Sequence, residues 1–370
     1  MSGKLHIALC TDGVFPQAMG GMQRHSRLLA THMAAIDDVS ISVLHPHAVP
    51  IFDRELGVNE VHVAGIDVQA LYLREMWRYS GRMAHALDDL RPDVILAQGF
   101  CVWKDLDRFA DRLVMHPHGL EMFQGLTLRD RMVGMPFRWL VRSIVRRSAC
   151  TISLGGRLTS MLQRMGARRV EVLPNAVDVP DAPAAPPAHT AGTRLLFVGR
   201  FAFNKGLDLL VQVAQRLHSD GLPVHFDLAG SGPLLARYQA AGLPPNVRLL
   251  GRVDDDELFR RYNECDALLL PTRFEGMPTV VLEAMARARP IIVSDVGATA
   301  QLVQDGGNGY LIPAGDADAL YQAVARFVQT PPDVRRRMGL ASYQLASRDF
   351  HWPLVARRHV DLLRDVAARS

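Results

Sequence analysis

Seven residues separate two glutamates, Glu275 and Glu283, in the segment PTRFEGMPTVVLEAMARARP. The preceding apolar run, ALLL, predicts a buried strand, and Pro278 suits the first turn of a helix that we predict over Thr279–Arg287. The N–H groups that begin a helix lack intrahelical partners, so those near Thr279–Val281 favour a phosphate.

The positions of the two glutamates predict different contacts. Glu283 lies one turn into the predicted helix, on the face of Thr279. A carboxylate beside a diphosphate is repelled unless it faces neutral hydroxyls, and a ribose diol meets that requirement. Glu275 precedes the helix, where a transferred sugar would lie. The alternative is two exposed glutamates stabilised by the helix dipole. The segment as a whole favours a binding site.

A second candidate segment, GRFAFNKG, runs from a predicted strand end to a helix start. It carries Gly199, Arg200 and Lys205, and two cations at this place suit a diphosphate whose charge grows as a glycosidic bond breaks. Lysine occurs only at Lys4, Lys104 and Lys205, whereas arginine is abundant. Lys205 is therefore interpreted as a functional residue in preference to a solvated surface charge.

Two glycine pairs are weaker signals. Gly20 and Gly21 follow the first predicted strand and open a helix, so they suit either an anion or an ordinary tight loop. Gly230 and Gly232 follow the strand VHFDLA but lack the third glycine of a dinucleotide fingerprint, because Leu235 stands there. We interpret this second pair as a structural turn beside the binding cleft, and hydride chemistry is not expected.

Together these segments resemble glycosyltransferase family 4, a group of retaining enzymes with the GT-B fold. The glutamate pair resembles that family's glutamate–seven residues–glutamate motif, GGMQR its N-terminal glycine loop and GRFAFNKG its donor-phosphate loop. LAGSGP, LLGRVDDDEL and GNGYLIPAGD also stand in the family's order and spacing. The resemblance covers nearly the full chain, and the combination is specific although each short segment is modest.

The resemblance implies roles for the matching positions. Arg200 and Lys205 would hold the donor diphosphate, Glu283 the ribose hydroxyls and Glu275 the donor sugar. Backbone at Val253 would lie near the base, and Gly21 near the phosphate or the acceptor. The implied catalytic residues are His118, Arg200, Lys205 and Glu275. The implied donor-binding residues are Gly20, Gly21, Gly199, Gly230, Val253, Gly276, Met277, Pro278, Thr279, Val280 and Glu283.

His118 is included because the family has a histidine after the corresponding strand that faces the donor sugar. In HPHGLEMF, His118 fits better than His116, because Gly119 follows it. A histidine there could hydrogen-bond a sugar hydroxyl or polarise the reacting centre. The alternative is a loop histidine satisfied by backbone, and we interpret His116 as such a structural residue.

One departure and one expected absence complete the comparison with the family. In SDVGATAQLV this chain has Gln301 where the family commonly has a glutamate, so a donor contact at this position would be made by a neutral amide. No metal and no cofactor are expected, since the family usually needs no metal and the donor itself, a UDP-, GDP- or ADP-sugar, is a substrate.

The elements that must position these residues follow from apolar periodicity. Short apolar runs alternate with helical patterns in both halves of the chain, which predicts α/β architecture with doubly wound parallel sheets. We therefore expect two doubly wound domains with a cleft between them, and the family resemblance implies that these are the two Rossmann-like domains of the GT-B fold. The expected boundaries are a first domain at 1–178, a Pro- and Ala-rich linker at 179–192, a second domain at 193–350 and a final helix at 351–370. The resemblance implies that the first domain binds the acceptor, that the second binds the donor, and that the final helix crosses back to the first domain.

Gly125–Ser148 is a basic amphipathic stretch, with arginines at 129, 131, 138, 142, 146 and 147 among apolar residues. Such a segment can lie on an anionic membrane surface. The alternative is a helix whose basic face is solvated and whose apolar face packs on its own domain.

Composition limits the remaining classes. A net charge of +4 is far from the clustered charge of a nucleic-acid binder, so no nucleic-acid partner is expected. The four cysteines match neither a zinc-site nor a disulfide spacing, and no leader or membrane span is evident. We therefore expect a cytoplasmic protein, peripheral at the inner face of the membrane if the basic stretch binds lipid.

The function expected from the sequence is retaining transfer of a hexosyl-type sugar from a nucleoside-diphosphate sugar. The expected acceptor is a glycan or lipid-linked saccharide in bacterial cell-surface polysaccharide synthesis. Two alternatives stay open: a sugar-nucleotide epimerase or phosphorylase on the same fold, and a non-catalytic sugar-nucleotide binder.

Overall fold

The computed structural model describes residues 3–66, 72–120, 123, 132, 134–187 and 192–370. The chain divides into two compact units. The first unit comprises Met1–Asn175 together with Trp352–Ser370, and the second comprises Ala176–His351.

The first unit is built on a parallel sheet whose strand order is β3-β2-β1-β4-β5-β6-β7. Every residue of the central strand β4 is buried, as the uninterrupted apolar run in the sequence predicts for a parallel strand covered on both faces. The strands are β1 (Leu5–Cys10), β2 (Val39–His45), β3 (Asn59–His62), β4 (Val94–Gln98), β5 (Leu113–His116), β6 (Cys150–Ser153) and β7 (Val170–Val172).

Helices of this unit pack their apolar faces on the sheet. Leu29 and Met33 of the first helix and Met83 and Leu87 of the second are fully buried, at the i, i+4 spacing of one helix face. The helices are α1 (Gly21–Ala34), α2 (Tyr72–Leu90), α3 (Met135–Arg147) and α4 (Arg157–Met165).

The second unit has a parallel sheet of order β10-β9-β8-β11-β12-β13. Strand order reverses between β8 and β11, and ligands in such sheets bind beyond the carboxyl ends of the strands at the point of reversal. The strands are β8 (Thr193–Val198), β9 (Val224–Ala229), β10 (Val247–Gly251), β11 (Ala267–Leu270), β12 (Ile291–Ser294) and β13 (Gly309–Ile312).

The helices of the second unit alternate with these strands. They are α5 (Leu207–Ser219), α6 (Leu235–Ala241), α7 (Asp255–Glu264), α8 (Thr279–Ala286), α9 (Thr299–Leu302), α10 (Ala317–Gln329) and α11 (Pro332–Asp349). The described part of the Pro- and Ala-rich stretch lies against this unit, since Tyr343 donates to the Pro180 carbonyl and Arg289 to the Ala185 carbonyl. Residues 188–191 of that stretch lie outside the described residues.

The last helix, α12 (Trp352–Ala367), belongs to the first unit, where it contacts α1 and β4. Its buried residues include Val355, Val360 and Leu363. The Arg364 guanidinium reaches Asp38 at 2.6 Å, so polar contacts at the rim accompany the apolar packing.

The predicted α/β class with two doubly wound parallel sheets is confirmed, and the strands expected at VHFDLA and ALLL are β9 and β11. Strand β13 and helices α10 and α11 were not predicted from the sequence. Strand β13 is short and sits within a glycine-rich turn sequence, while α11 buries few apolar side chains, so neither shows a strong period. Among the described residues, we find no helix with the length and apolar character that crossing a bilayer requires.

Candidate functional site

The loops that follow β8 and β11 flank the reversal of strand order in the second unit. The first loop makes one 3₁₀ turn, Phe203–Lys205, and then passes through Gly206 at φ 71° into α5. A Cβ placed on Gly206 would collide with the carbonyl oxygen of Pro271, the first residue of the second loop. Glycine is therefore required both for the left-handed backbone and for the close approach of the two loops.

Polar contacts fasten these loops to each other. The backbone N–H of Arg273 donates to the Asn204 carbonyl at 2.7 Å, and Thr272 Oγ1 donates to the same oxygen at 3.0 Å. The Arg273 guanidinium binds both carboxylate oxygens of Asp208, at 2.7 and 2.8 Å. The sequence analysis did not identify Asn204, Asp208, Thr272 or Arg273, and only the adjacency of Arg273 to the Glu275 motif hinted at them.

Two predicted site residues meet between these loops. Lys205 Nζ donates to Oε1 of Glu275, and their side chains are 19% and 13% exposed. This partial exclusion from water strengthens their mutual attraction and fixes both groups. Gly199 and Arg200 lie on the same loop as Lys205, and Arg200 is exposed.

Glu283 lies on α8, and a buried tyrosine donates a hydrogen bond to its carboxylate. Tyr262 lies on α7 and its side chain is fully buried. Its hydroxyl donates to Glu283 Oε2 at 2.9 Å. Burial first and the Glu283 charge second raise the pKa of Tyr262 well above its ordinary value, so the phenol stays protonated and remains a donor. Tyr262 is a supporting residue that sequence reasoning missed.

The start of α8 differs in one detail from the expectation. Pro278 occupies the N-cap, one residue before the first helical turn, with Thr279 as the first helical residue. The N–H of Val281, expected to face a phosphate, instead donates to the Pro278 carbonyl at 3.1 Å. The tightened first turn consumes that donor, so the expectation stands only for the N–H groups of Thr279 and Val280.

The Glu275 loop also packs on the segment after β12. The N–H of Ala298 donates to the Gly276 carbonyl at 2.8 Å, and Gly297, at φ 56°, lies so close that a Cβ there would collide with the Glu275 and Gly276 carbonyls. Met277 is buried beneath this contact. Gln301 follows on the short helix α9 with its side chain exposed, so it is available to a ligand at this edge.

Three glycines line the strand ends beside these loops. The N–H of Gly199 donates to Ala229 at 3.0 Å, and that of Gly230 donates to Gly251 at 2.8 Å. A Cβ on Gly230 would collide with the Gly199 carbonyl, so this glycine serves close backbone packing. Val253 lies just beyond, in the loop after β10, and is half-buried.

Gly20 and Gly21 lie in the first unit, at the start of α1. Gly20 is the N-cap at φ 158°, with no side-chain cap hydrogen bond, and a Cβ on Gly21 would meet nothing within 4 Å. The neighbouring Gln23 amide donates to Asp12 Oδ1 at 3.1 Å. An uncapped helix start with open space beside it suits an anion.

His118 follows β5 in the first unit, with the left-handed φ of 56° that is uncommon for a residue with a side chain. Its Nε2 donates to Gln98 Oε1, and its ring stacks on that of His116 with centroids 3.8 Å apart. Burial first and His359 second lower the pKa of His118 to about 3, so the imidazole is neutral at pH 7. It can therefore hydrogen-bond a hydroxyl but carries no charge.

Residues 124–131 and 133, which include Arg129 and Arg131, lie outside the described residues. The described part of Gly125–Ser148 is therefore mainly α3. Trp139 and Met135 are 70% and 61% exposed, and Arg142 is exposed on the same helix. Arg147 instead pairs with Asp107 at 3.0 Å. The basic stretch therefore combines an exposed aromatic face with arginines, one of which is already neutralised.

Models of two protein families match this chain. The "Glycosyltransferase Family 4" model matches residues 19–180, and the "Glycosyl transferases group 1" model matches residues 192–330. The two matches fall on opposite sides of the Pro- and Ala-rich stretch, and they contain the predicted site residues of both units.

Individual proteins agree with these models. A glycogen synthase of Mycobacterium tuberculosis is 27% identical over 92% of this chain and 90% of its own. A phosphatidyl-myo-inositol mannosyltransferase of Mycobacterium leprae is 31% identical over 56% of each chain. The sucrose-phosphate synthase of Thermosynechococcus elongatus superposes with a TM-score of 0.81 at 20% identity, covering 99% of this chain and 100% of that one. Anabaena HepE in complex with UDP-glucose gives 0.72 at 17%, covering 97% and 99%. Matching family models, curated relatives and a shared architecture lead to one conclusion: this chain belongs to the glycosyltransferases of family 4, or group 1, which have the GT-B fold.

Proposed function

We propose that this glycosyltransferase moves a sugar from a nucleoside-diphosphate sugar to an acceptor hydroxyl, with retention of anomeric configuration. The observation that carries the proposal is the group of Lys205, Glu275 and Glu283 at the reversal of strand order in the second unit. A sugar nucleotide requires cations and the N–H groups of a helix start to bind its diphosphate. It also requires a carboxylate that accepts hydrogen bonds from its ribose hydroxyls.

In the proposed reaction, the bond between the anomeric carbon and the diphosphate oxygen breaks while the acceptor oxygen bonds to the same face of that carbon. The acceptor proton leaves with the departing diphosphate. Lys205, Arg200 and the Thr279 and Val280 N–H groups stabilise the growing negative charge, so no Mg²⁺ or Mn²⁺ is required at the diphosphate.

The remaining groups have positioning roles in this proposal. Lys205 neutralises Glu275, which lets that carboxylate accept hydrogen bonds from sugar hydroxyls close to a polyanion. Tyr262 keeps the Glu283 carboxylate oriented towards the ribose diol. Neutral His118 offers a hydrogen bond to a sugar or acceptor hydroxyl.

The acceptor class that we propose is a glycan or a lipid-linked saccharide of the cell surface. Two observations support it: relatives named for glycogen and for phosphatidyl-myo-inositol, and the exposed aromatic and basic face of α3. An exposed tryptophan flanked by arginines suits the headgroup level of an anionic membrane, so we also propose peripheral membrane contact at Met135, Trp139 and Arg142.

The test is release of nucleoside diphosphate from a panel of UDP-, GDP- and ADP-sugars, with and without added EDTA. We expect release from one donor, unaffected by EDTA and lost in Glu283→Ala. Glu264→Ala is the matched control, because Glu264 is a helical glutamate that pairs with Arg260 and Arg261 on its own helix. Retention would be read from the anomeric configuration of the product by NMR.

Other outcomes would overturn the proposal. Conversion of the donor sugar to an isomer without any acceptor would identify an epimerase. Dependence on inorganic phosphate would indicate a phosphorylase. Tight nucleotide binding with no turnover in the presence of a panel of acceptors would indicate a binding protein.

A further inference from the structure

Three histidines from distant parts of the sequence meet inside the first unit, apart from the Lys205 and Glu283 group of the second. His25 comes from α1, His116 from the end of β5 and His359 from α12. One ring nitrogen from each lies within 4.8 Å of the others, and the ring centroids are 5.2 to 6.2 Å apart. The three residues are 2%, 0% and 0% exposed.

The ring nitrogens of this histidine cluster lack hydrogen-bond partners. Both nitrogens of His25, both nitrogens of His116 and Nε2 of His359 are buried without one. Buried polar atoms in proteins are almost always paired, because an unpaired group has lost its hydration and gained nothing in exchange. Five such atoms at one place, with at least one on each ring, indicate a ligand that contacts one nitrogen of each histidine.

His359 shows which kind of ligand fits. Its Nδ1 donates to the carbonyl of Val355, one turn earlier on α12, at 2.8 Å. That bond fixes the tautomer, so Nε2 carries a lone pair and no proton. Metal-binding histidines are typically held in this way, with the other ring nitrogen on a backbone carbonyl.

The surroundings exclude a hard cation. The ligand atoms are neutral nitrogens, and His118 and Trp352 cover them with rings whose centroids lie 4.9 and 5.4 Å from that of His25. Imidazole nitrogens suit Zn²⁺ and its neighbours in the first transition row, whereas Mg²⁺ and Ca²⁺ require oxygen.

We propose that His25, His116 and His359 bind one Zn²⁺-type cation through three imidazole nitrogens, with a water or small anion as the fourth ligand. Zinc–nitrogen bonds of about 2.0–2.1 Å require each of the three nitrogens to move roughly 1 Å towards the ion, a movement that a small rotation of each side chain provides. The ion joins α1, β5 and α12, so it fastens the C-terminal helix to the unit that holds the start of the chain.

The test uses tag-free full-length protein, stripped by chelator and then titrated with Zn²⁺. We expect one equivalent to be retained after gel filtration. The thermal midpoint should rise by about 5–10 °C at a hundredfold excess over Kd, while Mg²⁺ has no effect. X-ray absorption at the zinc edge should show three nitrogen ligands, a readout that requires no variant.

Variants then locate the ion. His359→Gln and His25→Ala should lose the retained equivalent. His225→Ala, an exposed histidine of the second unit, should keep it, as should His47→Ala. His47 is the matched control because it is a histidine of the same unit that lies outside the cluster. Its ring lies beside that of His45, which forms a separate pair with Glu60 at 2.9 Å.

The proposal fails if the stripped protein takes up no zinc, or if the zinc edge shows oxygen in place of the three nitrogens. Loss of the equivalent in His47→Ala, or its retention in His359→Gln, would place the ion elsewhere and would equally overturn it. None of these readouts depends on the sugar donor, so the proposed transferase reaction is tested separately.

Discussion

Lys205 Nζ donates a hydrogen bond to Oε1 of Glu275 across 70 positions of sequence, and this pair joins the loops that follow β8 and β11. Both side chains are mostly withdrawn from water. The loops are held in register by the Arg273–Asp208 pair and by the missing side chain of Gly206. The cation is therefore preorganised, a condition for stabilising charge that develops in a transition state.

Replacing Lys205 by alanine should lower kcat by roughly 10²–10³, because a fixed cation on the leaving diphosphate is lost. Steady-state release of nucleoside diphosphate measures it. Lys104→Ala is the control, since Lys104 lies in the first unit over the Trp77 ring. Unchanged turnover in Lys205→Ala would remove Lys205 from the catalytic group.

Gly206→Ala should destabilise the second unit and reduce donor turnover, because the new Cβ meets the Pro271 carbonyl. Gly221→Ala is a matched control: Gly221 has nearly the same φ, 72° against 71°, but open space around it. Both variants carry the left-handed strain of about 1–2 kcal/mol, and Gly206→Ala should cost about 1–3 kcal/mol more. Denaturant unfolding of the two variants gives the difference, and equal free energies of unfolding would show that the loops do not pack as described.

Tyr262→Phe should weaken binding of the nucleoside diphosphate about tenfold. A hydrogen bond to a charged group contributes about 1.5–3 kcal/mol, and part of this energy acts on binding by orienting the Glu283 carboxylate. Glu283 keeps its charge in this variant but loses the donor at Oε2. Calorimetric titration with the preferred nucleotide measures the change. Glu283→Gln removes the charge but keeps an oxygen that can accept from Tyr262, so comparing the two variants separates orientation from charge. Wild-type affinity in Tyr262→Phe would refute the positioning role.

The four cysteines should react very slowly with thiol reagents in the native state. All are buried, and burial raises the pKa of Cys150 to about 11 and that of Cys265 to about 12, with Cys10 and Cys101 also raised. Because the thiolate is the reactive form, a pKa raised by two units lowers the reactive fraction at pH 7–8 about a hundredfold. The native labelling rate should therefore increase as the pH rises towards 11.

Ellman's reagent followed by absorbance provides the measurement, and protein in denaturant provides the control, with four thiols reacting. A single native cysteine that reacts at the denatured rate near pH 8 would contradict the burial described for it.

Liposome binding should depend on the exposed face of α3. We expect co-sedimentation with phosphatidylglycerol vesicles at low salt, reduced several-fold in Trp139→Ala with Arg142→Glu and weakened by added salt. Arg336→Glu with Leu340→Ala on α11 is the control, because it makes the same kind of change at an exposed basic and apolar pair of the second unit. Failure of the wild type to sediment would refute membrane contact and leave the glycan-acceptor proposal intact.

The sequence by itself determined the features that depend on neighbouring residues. Apolar runs and helical periods predicted both sheets and most helices, because strand and helix preferences act over a few residues. Lys205 and Glu275 lie in loops after predicted strands and Glu283 lies in the first turns of the helix that follows. These positions were enough to predict that all three lie near the carboxyl edge of the second sheet, since parallel strands share that edge.

Only the tertiary structure decided which distant groups meet. The pairing of Lys205 with Glu275, the support of Glu283 by Tyr262 and the meeting of His25 with His116 and His359 depend on strand order and on how helices pack. The Val281 N–H is a local example of a contact that the sequence did not predict. It was expected to face a phosphate, but in the structure it donates to the Pro278 carbonyl. Such contacts are set by the competition among all packed groups for space and hydrogen bonds, and no local pattern in the chain encodes the outcome.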